Sequence, residues 1–288
     1  MSDIALAGSV RNNLLSLQRT NVLLDRTQDR LASGKRVNNA LDDAVSFFQA
    51  KTLSERSTDI TTRKNEIDQS ISALKSAVNG IESADRVAKQ LKGILTSAKT
   101  ASAKERIELR KQFNTLSSQL SELVRDASYQ GLSLLNSTTA KLTVNFSTRS
   151  QAKIDIFGRN LLASKLITGT AAALGSVVAT QVVTLAWSSA PSLILSRFDK
   201  GVAVMDAAIS TLRNAISTLS SNVTFLQTRL DFSKEYVKIM EEGAGKLTLA
   251  DINEEGANLV SLQTRQQLAL QALAFAGESE RSILQLFR

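Results

Sequence analysis

Apolar residues recur along the second half of the chain at alternating steps of four and three. From Phe198 to Met240, thirteen positions follow this rhythm; twelve of them are apolar and none is charged. A repeat of 3.5 residues over six heptads specifies one long helix whose narrow stripe packs against partner helices in a left-handed bundle. At 1.5 Å per residue the helix is about 65 Å long, so the pattern predicts a rod. The stripe consists of Phe198, Val202, Met205, Ile209, Leu212, Ile216, Leu219, Val223, Leu226, Leu230, Ser233, Val237 and Met240.

A weaker stripe of the same kind lies near the N-terminus. It predicts a first helix from about Ile4 to Ser33, and Gly34 stands at the C′ position, where a left-handed residue ends a helix. A polar link follows, in which Asn39 is the expected N-cap of the second helix. Asp42 and Asp43 then fall in the first turn of that helix, where carboxylates complement the helix dipole. The stripe consists of Val10, Leu14, Leu17, Leu24 and Leu31.

The second helix is expected over residues 41–99 and the third over residues 103–129. Ser102 and Glu105 have the spacing of a capping box that opens the third helix, and Gly131 is expected to close it. Since only a few residues join these two helices, we expect them to pack as antiparallel neighbours.

The central helix is expected over residues 197–242, with Ser196 as its N-cap. Gly243 and Gly245 mark its end, and a last helix follows over residues 249–288. Both chain ends are thus amphipathic helices, and two such helices alone bury too little surface to be stable. Their apolar faces imply contacts with other copies of the chain or with another partner. The residues expected to carry this burial are Leu14, Leu17, Leu24, Leu31, Leu259, Leu262, Leu273, Ile283 and Phe287.

Residues 136–196 differ in kind and predict a β-rich insert. Lys141–Phe146 and Lys153–Ile156 alternate apolar and polar residues like strands, with residues 148–151 as a hairpin loop between them. Leu166–Trp187 is uncharged and apolar enough to raise a membrane span, but its threonines, glycines and paired valines favour a small β-rich cap. The sequence therefore predicts a mainly α fold: long antiparallel helical rods in a coiled-coil bundle, with a small β-hairpin region in the middle of the chain.

The residue inventory argues against an enzyme. The chain has no cysteine and no histidine, which removes disulfides, thiolate chemistry, imidazole bases and most zinc or iron sites. Gly243–Lys246 fails as a phosphate loop, and the adjacent carboxylates of Asp42–Asp43 and of Glu254–Glu255 point to different helix faces. No catalytic, cofactor or metal site is predicted. The net charge of +8 comes without a run of basic residues, so nucleic acid is not an expected partner.

A more specific signal lies at the two ends of the chain. Arg30–Ala44 reads Arg-Leu-Ala-Ser-Gly-Lys-Arg-Val-Asn-Asn-Ala-Leu-Asp-Asp-Ala, and its counterparts near the C-terminus are Ala250–Asn253, Gln263–Ala274 and Ser282–Arg288. Together these stretches resemble the signatures of the bacterial flagellin family. One departure from the family pattern is Val45–Phe48, which replaces the small residues usual at that point.

The resemblance implies a structural subunit that polymerises into the hollow helical filament of the bacterial flagellum, for swimming motility. It implies that residues 1–40 and 249–288 form the inner-tube domain D0 and that residues 41–248 form the rod-like domain D1. The outer domains of larger flagellins are expected to be absent. The link between D0 and D1 would act as a spoke. The spoke residues are Arg30, Gly34, Asn38, Asp42 and Asp43.

The resemblance also implies partners and a destination. The expected partners are other copies of the chain, a flagellar export chaperone, the type III export apparatus, and hook-associated and cap proteins. The expected location is the extracellular filament. No secretory signal is visible, which leaves either the cytoplasm or export by a route that needs no such signal, and a chain without cysteine and almost without proline suits export in an unfolded form. Two alternatives stay open. One is the hook–filament junction protein of the same family, and the other is a membrane-anchored helical receptor that spans the bilayer with Leu166–Trp187.

Overall fold

The computed structural model describes residues 8–147, 151–167 and 191–286. Within these ranges the chain forms five long helices and one two-stranded hairpin. In chain order the elements are α1 (Gly8–Ser33), α2 (Ala44–Thr100), α3 (Ala103–Asp126), β1 (Lys141–Asn145), β2 (Lys153–Phe157), α4 (Pro191–Thr248) and α5 (Ile252–Leu286). Residues 163–167 are also helical. The predicted fold class, long helices with a small hairpin in the middle of the chain, is confirmed.

The chain divides into two compact units. The terminal unit joins Met1–Ser57 to Lys238–Arg288, and the middle unit is Thr58–Val237. The terminal unit therefore extends beyond the predicted residues 1–40 and 249–288, because it includes the first turns of α2 and the last turns of α4. The assignment of the ends to an inner tube and of the middle to a rod-like layer stays a prediction.

The core of the middle unit lies along the apolar stripes of α2 and α4. All thirteen positions of the predicted stripe from Phe198 to Met240 are buried or half-buried, which confirms the heptad pattern. A fully buried Leu, Ile, Phe or Met side chain contributes about 1.5–3 kcal/mol to folding. The largest such side chains are Ile67, Leu74, Ile81, Leu91, Leu95, Phe113, Leu120, Leu135, Phe198, Met205, Leu212 and Leu226.

Three ion pairs, spaced by seven residues on each helix, bridge α2 and α4 in the middle unit. The pairs are Lys99 with Asp199, Lys92 with Asp206, and Asp85 with Arg213. The Lys92 Nζ to Asp206 Oδ1 distance is 2.5 Å. Since the residue numbers fall along α2 while they rise along α4, the two helices run antiparallel in this unit.

α3 begins with the predicted capping box. The Ser102 hydroxyl accepts the backbone N–H of Glu105 at 3.4 Å, and the Glu105 carboxylate accepts the N–H of Ser102 at 2.8 Å. These bonds, the one from the Ser102 N–H above all, lower the pKa of Glu105. The reciprocal pair satisfies two N–H groups that a helix start otherwise leaves free.

α3 packs antiparallel to α2, as the short connection predicted. Near the start of α3, Arg106 Nε donates to the carbonyl oxygen of Ala98 at 3.0 Å. Beyond its end, the Tyr129 hydroxyl donates to Gln69 Oε1 at 2.8 Å. The start of α3 thus lies beside the end of α2, and the end of α3 lies beside a residue some thirty positions earlier in α2.

The hairpin covers one side of this core. Val144 and Ile156 are buried, and the antiparallel register places Leu142 opposite Ile156 and Val144 opposite Ile154. The alternation of buried and exposed residues in each strand gives the period of two that the sequence predicted. Residues 148–150 of the predicted loop lie outside the described residues.

Two predicted helix ends are wrong by a few residues. α2 begins at Ala44 rather than at residue 41, because Asp43 and not Asn39 accepts the free N–H of Ser46 and caps the helix. α3 ends at Asp126 rather than at residue 129, and Gly131, with a φ of +80°, belongs to a separate tight turn. A glycine several residues beyond the last apolar position marks the turn, not the C-cap.

The predicted bounds of the central helix are also wrong at both ends. α4 begins at Pro191 rather than at residue 197, so Ser196 lies inside the helix and is not its N-cap. Proline suits the first helical turn because the missing N–H would be unpaired there. α4 then runs through Gly243 and Gly245 to Thr248. The predicted β-rich insert over 136–196 is therefore too long, because its last residues belong to α4. The structure confirms the hairpin within it.

The predicted membrane segment and the extreme ends fall largely beyond what is described. Residues 168–190, which include most of Leu166–Trp187, lie outside the described residues, as do Ile4 and Phe287. Within the described ranges, no helix is both long and apolar enough to cross a bilayer.

Candidate functional site

The two ends of the chain meet in a pair formed by α1 and α5. Each helix carries residues of heptad spacing that are buried or half-buried, and this spacing places them on one face of the helix. These inner faces are the predicted stripes. Their apolar members include Val10, Leu17, Leu24 and Leu31 on α1 and Leu259, Leu262, Ala269 and Leu273 on α5.

Two polar contacts fix the register of this pair. Arg30 Nη1 lies 2.9 Å from Glu255 Oε1, and Gln266 Nε2 donates to Asn21 Oδ1 at 2.9 Å. An earlier residue of α1 meets a later residue of α5, so the helices run antiparallel. Glu255 is only 7% exposed. A buried ion pair of this kind adds little net stability, but it strongly disfavours any register that would leave a charge unpaired.

The link after α1 is joined by backbone hydrogen bonds to the turn between α4 and α5. Gly34 has a φ of +67°, the left-handed conformation that the predicted C′ position requires. The N–H groups of Arg36 and Val37 both donate to the carbonyl oxygen of Thr248, at 2.7 and 3.2 Å. In return, the N–H of Ala250 donates to the carbonyl oxygen of Gly34 at 3.1 Å. The predicted spoke therefore holds both terminal helices at their shared base.

Two carboxylates order the rest of the link. Asp42 accepts the N–H groups of Asn38 and Asn39 at 3.0 and 3.2 Å, and these bonds, with that of Asn38 first, lower its pKa. Asp43 accepts the hydroxyl of Ser46 at 2.7 Å and its N–H at 3.1 Å, and both bonds lower the pKa of Asp43. Each carboxylate is therefore most stabilising when ionised. Among the predicted spoke residues, Asn38 and Asp42 form a hydrogen-bonded turn, and Asp43 caps α2 directly after it.

The outward faces of α1 and α5 carry large apolar side chains that remain exposed. Val22 is 67% exposed and Phe275 is 70% exposed. On α5, Val260, Leu268 and Phe275 are separated by eight and seven residues, which places them in one line along the helix. Contiguous exposed apolar surface marks an interaction site. The exposed set is Leu14, Leu15, Val22, Leu23, Ile252, Val260, Leu268, Leu270 and Phe275.

A second exposed apolar stripe lies at the start of α2, in the terminal unit. Leu41 is 97% exposed, and Val45 and Phe48 follow at steps of four and three with 68% and 57% of their surface exposed. The Phe47 ring meets the Phe48 ring edge to face, with 5.6 Å between the centroids. The stripe includes the segment in which this sequence departs from the family signature.

The predicted contact residues divide between the two faces of the helix pair. Six of them lie on the inner faces: Leu17, Leu24, Leu31, Leu259, Leu262 and Leu273. Leu14 is exposed, Phe287 lies outside the described residues, and the side chain of Ile283 is not among those described. Sequence reasoning missed Val22, Leu268 and Phe275, because it followed a single heptad seam. A search for apolar residues off that seam would have found them, since a two-faced helix needs more than one stripe.

The described residues hold no group of acidic side chains suited to binding a metal ion. Gly243 and Gly245, which faintly resembled a phosphate loop, lie within α4. The chemistry of the site is therefore that of apolar contact, hydrogen bonding and ion pairing.

A helical chain with paired ends and exposed apolar faces has the features of a subunit of a larger assembly. Residues 6–140 match the family described as the bacterial flagellin N-terminal helical region. Flagellin FljN of Caulobacter vibrioides is 31% identical over 280 residues, which cover 96% of this chain and 94% of that protein. The chain belongs to the flagellin family.

Further comparisons agree with this membership. The flagellin of Brucella melitensis is 26% identical over 298 residues, with 100% of both chains covered. A protein from Vibrio parahaemolyticus, described as a flagellar hook-associated protein, superposes with a TM-score of 0.58 at 11% identity and covers 72% of this chain and 100% of its own. That last likeness concerns the fold alone. The resemblance predicted from the two terminal signatures is confirmed.

Proposed function

We propose that this chain is the structural subunit that polymerises into the hollow helical filament of the bacterial flagellum, for swimming motility. Its membership of the flagellin family, over nearly the whole length of its relatives, supports this function. No finding favours the hook–filament junction protein or a membrane-anchored receptor.

The observation that carries the proposal is the exposed apolar face of the terminal helix pair. Val22, Leu268 and Phe275 keep more than half of their surface in water in a single copy. Burying apolar surface releases about 25 cal/mol per Å². A subunit buries such a face by contacting a different face of the next copy, and a heterologous contact of this kind builds an open helix when the rotation does not close.

The two faces of the helix pair have separate roles in this proposal. The inner-face residues, such as Leu24 and Leu262, join α1 to α5 within one copy. The outward-face residues, together with Leu14, Ile283 and Phe287, bury against neighbouring copies in the inner tube. The spoke from Arg30 to Asp43 sets the direction in which the helix pair leaves the rest of the subunit.

The proposal includes a route to the filament. The subunit is secreted through the flagellar type III export apparatus, with a cytosolic chaperone covering its C-terminal helix before export. The exposed line on α5 supports this role for a chaperone, because that face would otherwise associate prematurely in the cytosol. At the growing end the subunit meets cap and hook-associated proteins.

Electron microscopy of the purified chain tests the function. Concentrated wild-type protein is expected to form long filaments, and Phe275→Asp to form none, because a charge on the outward face cannot be buried without a partner. Asn258→Asp is the matched control: it adds the same charge at an exposed polar position of α5 that lies about 100° around the helix from Phe275, and it is expected to retain filaments.

Circular dichroism of dilute protein separates assembly from folding. The helical signal of Phe275→Asp should equal that of wild type, since the side chain touches little in the single copy. Normal filaments from Phe275→Asp would refute the burial argument. The absence of filaments from the wild-type protein at high concentration would refute the function itself.

A further inference from the structure

The middle unit carries an exposed cluster of aromatic rings around one arginine. The Arg229 guanidinium lies between two phenylalanine rings, with its Cζ 5.2 Å from the centroid of Phe146 and 4.9 Å from that of Phe232. Phe225 meets Phe146 edge to face at 5.9 Å. Phe225 and Phe232 are themselves 49% and 54% exposed. We call this set, Phe146, Phe225, Arg229 and Phe232, the arginine–phenylalanine cluster.

The cluster lines a surface groove beside the hairpin. The groove has a volume of about 480 Å³, and Lys153 at the start of β2 also lines it. The groove is therefore apolar along the phenylalanine rings and positively charged at two points. Burial of two exposed phenylalanines by a partner would be favourable, since aromatic residues and arginine dominate the energetics of protein interfaces.

Arg229 is held in place without an acidic partner. Its Nε is buried and makes no hydrogen bond, and within the described residues no carboxylate lies within ion-pair distance of its guanidinium. Stacking on aromatic rings fixes the plane of the guanidinium and leaves its outer N–H groups as donors. A planar, preoriented guanidinium is suited to bidentate pairing with a carboxylate. The cluster thus presents a cationic site for which the described residues supply no anion.

A complementary surface lies at the end of α3. Glu122 and Asp126, one helical turn apart, line a shallow concavity of about 560 Å³ together with Leu123. Glu122 pairs with Arg125 at 2.7 Å on the exposed surface, while the Asp126 carboxylate makes no ion pair with any described residue. This turn therefore offers two carboxylates beside an apolar side chain, which matches the charge and the apolar character of the groove.

We propose that the arginine–phenylalanine cluster of one copy receives the last turn of α3 of a second copy. The Arg229 guanidinium pairs with the Asp126 carboxylate, Lys153 adds attraction to Glu122, and the exposed rings of Phe225 and Phe232 pack against Leu123. Because the two surfaces differ, the contact is heterologous and repeats from copy to copy without closing. The inference rests on the proposed filament, and it names a contact of the middle unit in addition to that of the terminal helices.

Charge reversal tests the pairing directly. Arg229→Glu and Asp126→Arg are each expected to raise the critical concentration for seeded polymerisation by about tenfold or more, because each places like charges against each other. The double variant Arg229→Glu with Asp126→Arg should restore the pair with opposite polarity and return the critical concentration to within about threefold of wild type. Lys234→Glu is the matched control, since it reverses a charge on the same helix outside the groove, and it should leave polymerisation unchanged.

A crosslinking experiment provides an independent readout that does not depend on charge. The chain has no cysteine, so Thr228→Cys and Ser128→Cys each introduce a unique thiol beside the proposed contact and leave its rings and charges in place. Filaments grown from a mixture of the two single variants should form a disulfide-linked heterodimer on oxidation. Filaments of either variant alone should form no such heterodimer. The mixed proteins should also form none at a dilution that prevents polymerisation. Circular dichroism of every variant as a dilute monomer controls for folding.

The outcomes separate this inference from the function on which it rests. Failure of the wild-type protein to polymerise would overturn both. Polymerisation of the wild type with no effect of Arg229→Glu, or an effect that Asp126→Arg does not reverse, would overturn the contact and leave the filament function in place. Loss of monomer folding in Arg229→Glu combined with no heterodimer in the crosslinking experiment would also overturn it.

Discussion

The middle unit and the terminal unit are built from the same kind of heptad helix, and they cover their apolar surface to very different extents. In the middle unit, residues 67–230 form one continuous core from α2, α3, α4 and the hairpin. In the terminal unit, α1 and α5 pair along one face each and leave the other face exposed. Of the eighteen large apolar side chains that are exposed in the described residues, fourteen belong to the terminal unit.

This difference in burial indicates that the two units obtain their stability from different contacts. A stripe that meets three other elements within its own chain is buried in a single copy, so the middle unit does not depend on concentration. A pair of helices buries one stripe each and gains the rest only from other copies, so its stability depends on assembly. This division suits a subunit that folds as a single copy and completes the burial of its apolar surface on polymerisation.

Core truncation should give the largest contrast between the units. Leu74→Ala, at a fully buried position, is expected to lower the free energy of unfolding of the monomer by about 2–5 kcal/mol, because it leaves a cavity in the middle core. Val22→Ala, on the exposed face of α1, should change it by less than about 0.5 kcal/mol. Urea denaturation of dilute protein measures both, and similar costs would show that the two units are equally covered.

Two glycines of α2 test the packing of the middle unit more finely. A Cβ at Gly80 would lie 2.3 Å from the Cβ of Ala127, so Gly80→Ala must displace the segment after α3 and should cost about 1–3 kcal/mol. A Cβ at Gly93 would meet no atom within 4 Å, and Gly93→Ala should stabilise the same helix by up to about 1 kcal/mol. Thermal unfolding compares the two variants. If both substitutions change the stability in the same direction, that would contradict the close approach at Gly80.

The capping box of α3 should have a smaller effect. Ser102→Ala removes the hydroxyl that accepts the Glu105 N–H and is expected to cost about 1 kcal/mol. Ser118→Ala, at an exposed position in the middle of α3, is the control and should have almost no effect. Because α3 belongs to the continuous core, the loss should appear in global unfolding of the monomer, and not only in fraying of the helix.

The smallest effect is expected in the link of the terminal unit, as a function of pH. The pKa of Asp42 is lowered by the N–H groups of Asn38 and Asn39, so the ionised carboxylate stabilises the turn. That stabilisation is complete above the ordinary pKa of 3.8 and is lost as the pH falls through the lower folded value. The protection factors of the Asn38 and Asn39 amides against hydrogen exchange should therefore fall in this acid range.

Asp42→Asn provides the comparison for this pH dependence. A neutral amide is a weaker acceptor, so exchange of the two amides should already be fast near neutral pH and should lose its acid-induced step. If Asp42→Asn still loses amide protection in acid as the wild type does, that loss belongs to another titrating group. The protection factors of amides in the middle core are the internal reference, and at each pH they should be the same in the variant as in the wild type.

Much of the architecture could be predicted from the sequence because it depends on periodicity. The stripe from Phe198 to Met240 predicted a buried helix face, and the alternation around Val144 and Ile156 predicted a hairpin. Ser102 with Glu105 predicted a cap from local chemistry alone. In each case the evidence lies within a few turns of chain, where spacing and hydrogen-bonding capacity are sufficient.

The helix ends and the second apolar face were harder to predict. Asn39 and Asp43 are both good N-caps, and what decides between them is that Asn39 is used in a turn with Asp42. Glycines 243 and 245 appeared to end α4, but burial of the neighbouring stripe position Met240 continues the helix through them. The outward face of α5 was missed because Phe275 lies off the heptad seam, and among the described residues it packs too little to complete a pattern.

The three bridges between α2 and α4 also determine how far those helices can slide past each other. A slip of one heptad in one direction would bring Asp85 opposite Asp206, and a slip in the other direction would bring Lys92 opposite Arg213. Exposed pairs like these contribute only about 0–1 kcal/mol each when correctly matched. Their order of signs nevertheless penalises both neighbouring alignments, which an uninterrupted apolar stripe alone would tolerate. The three bridges thus favour one alignment of α2 and α4 in every folded copy, which a polymer of identical subunits requires.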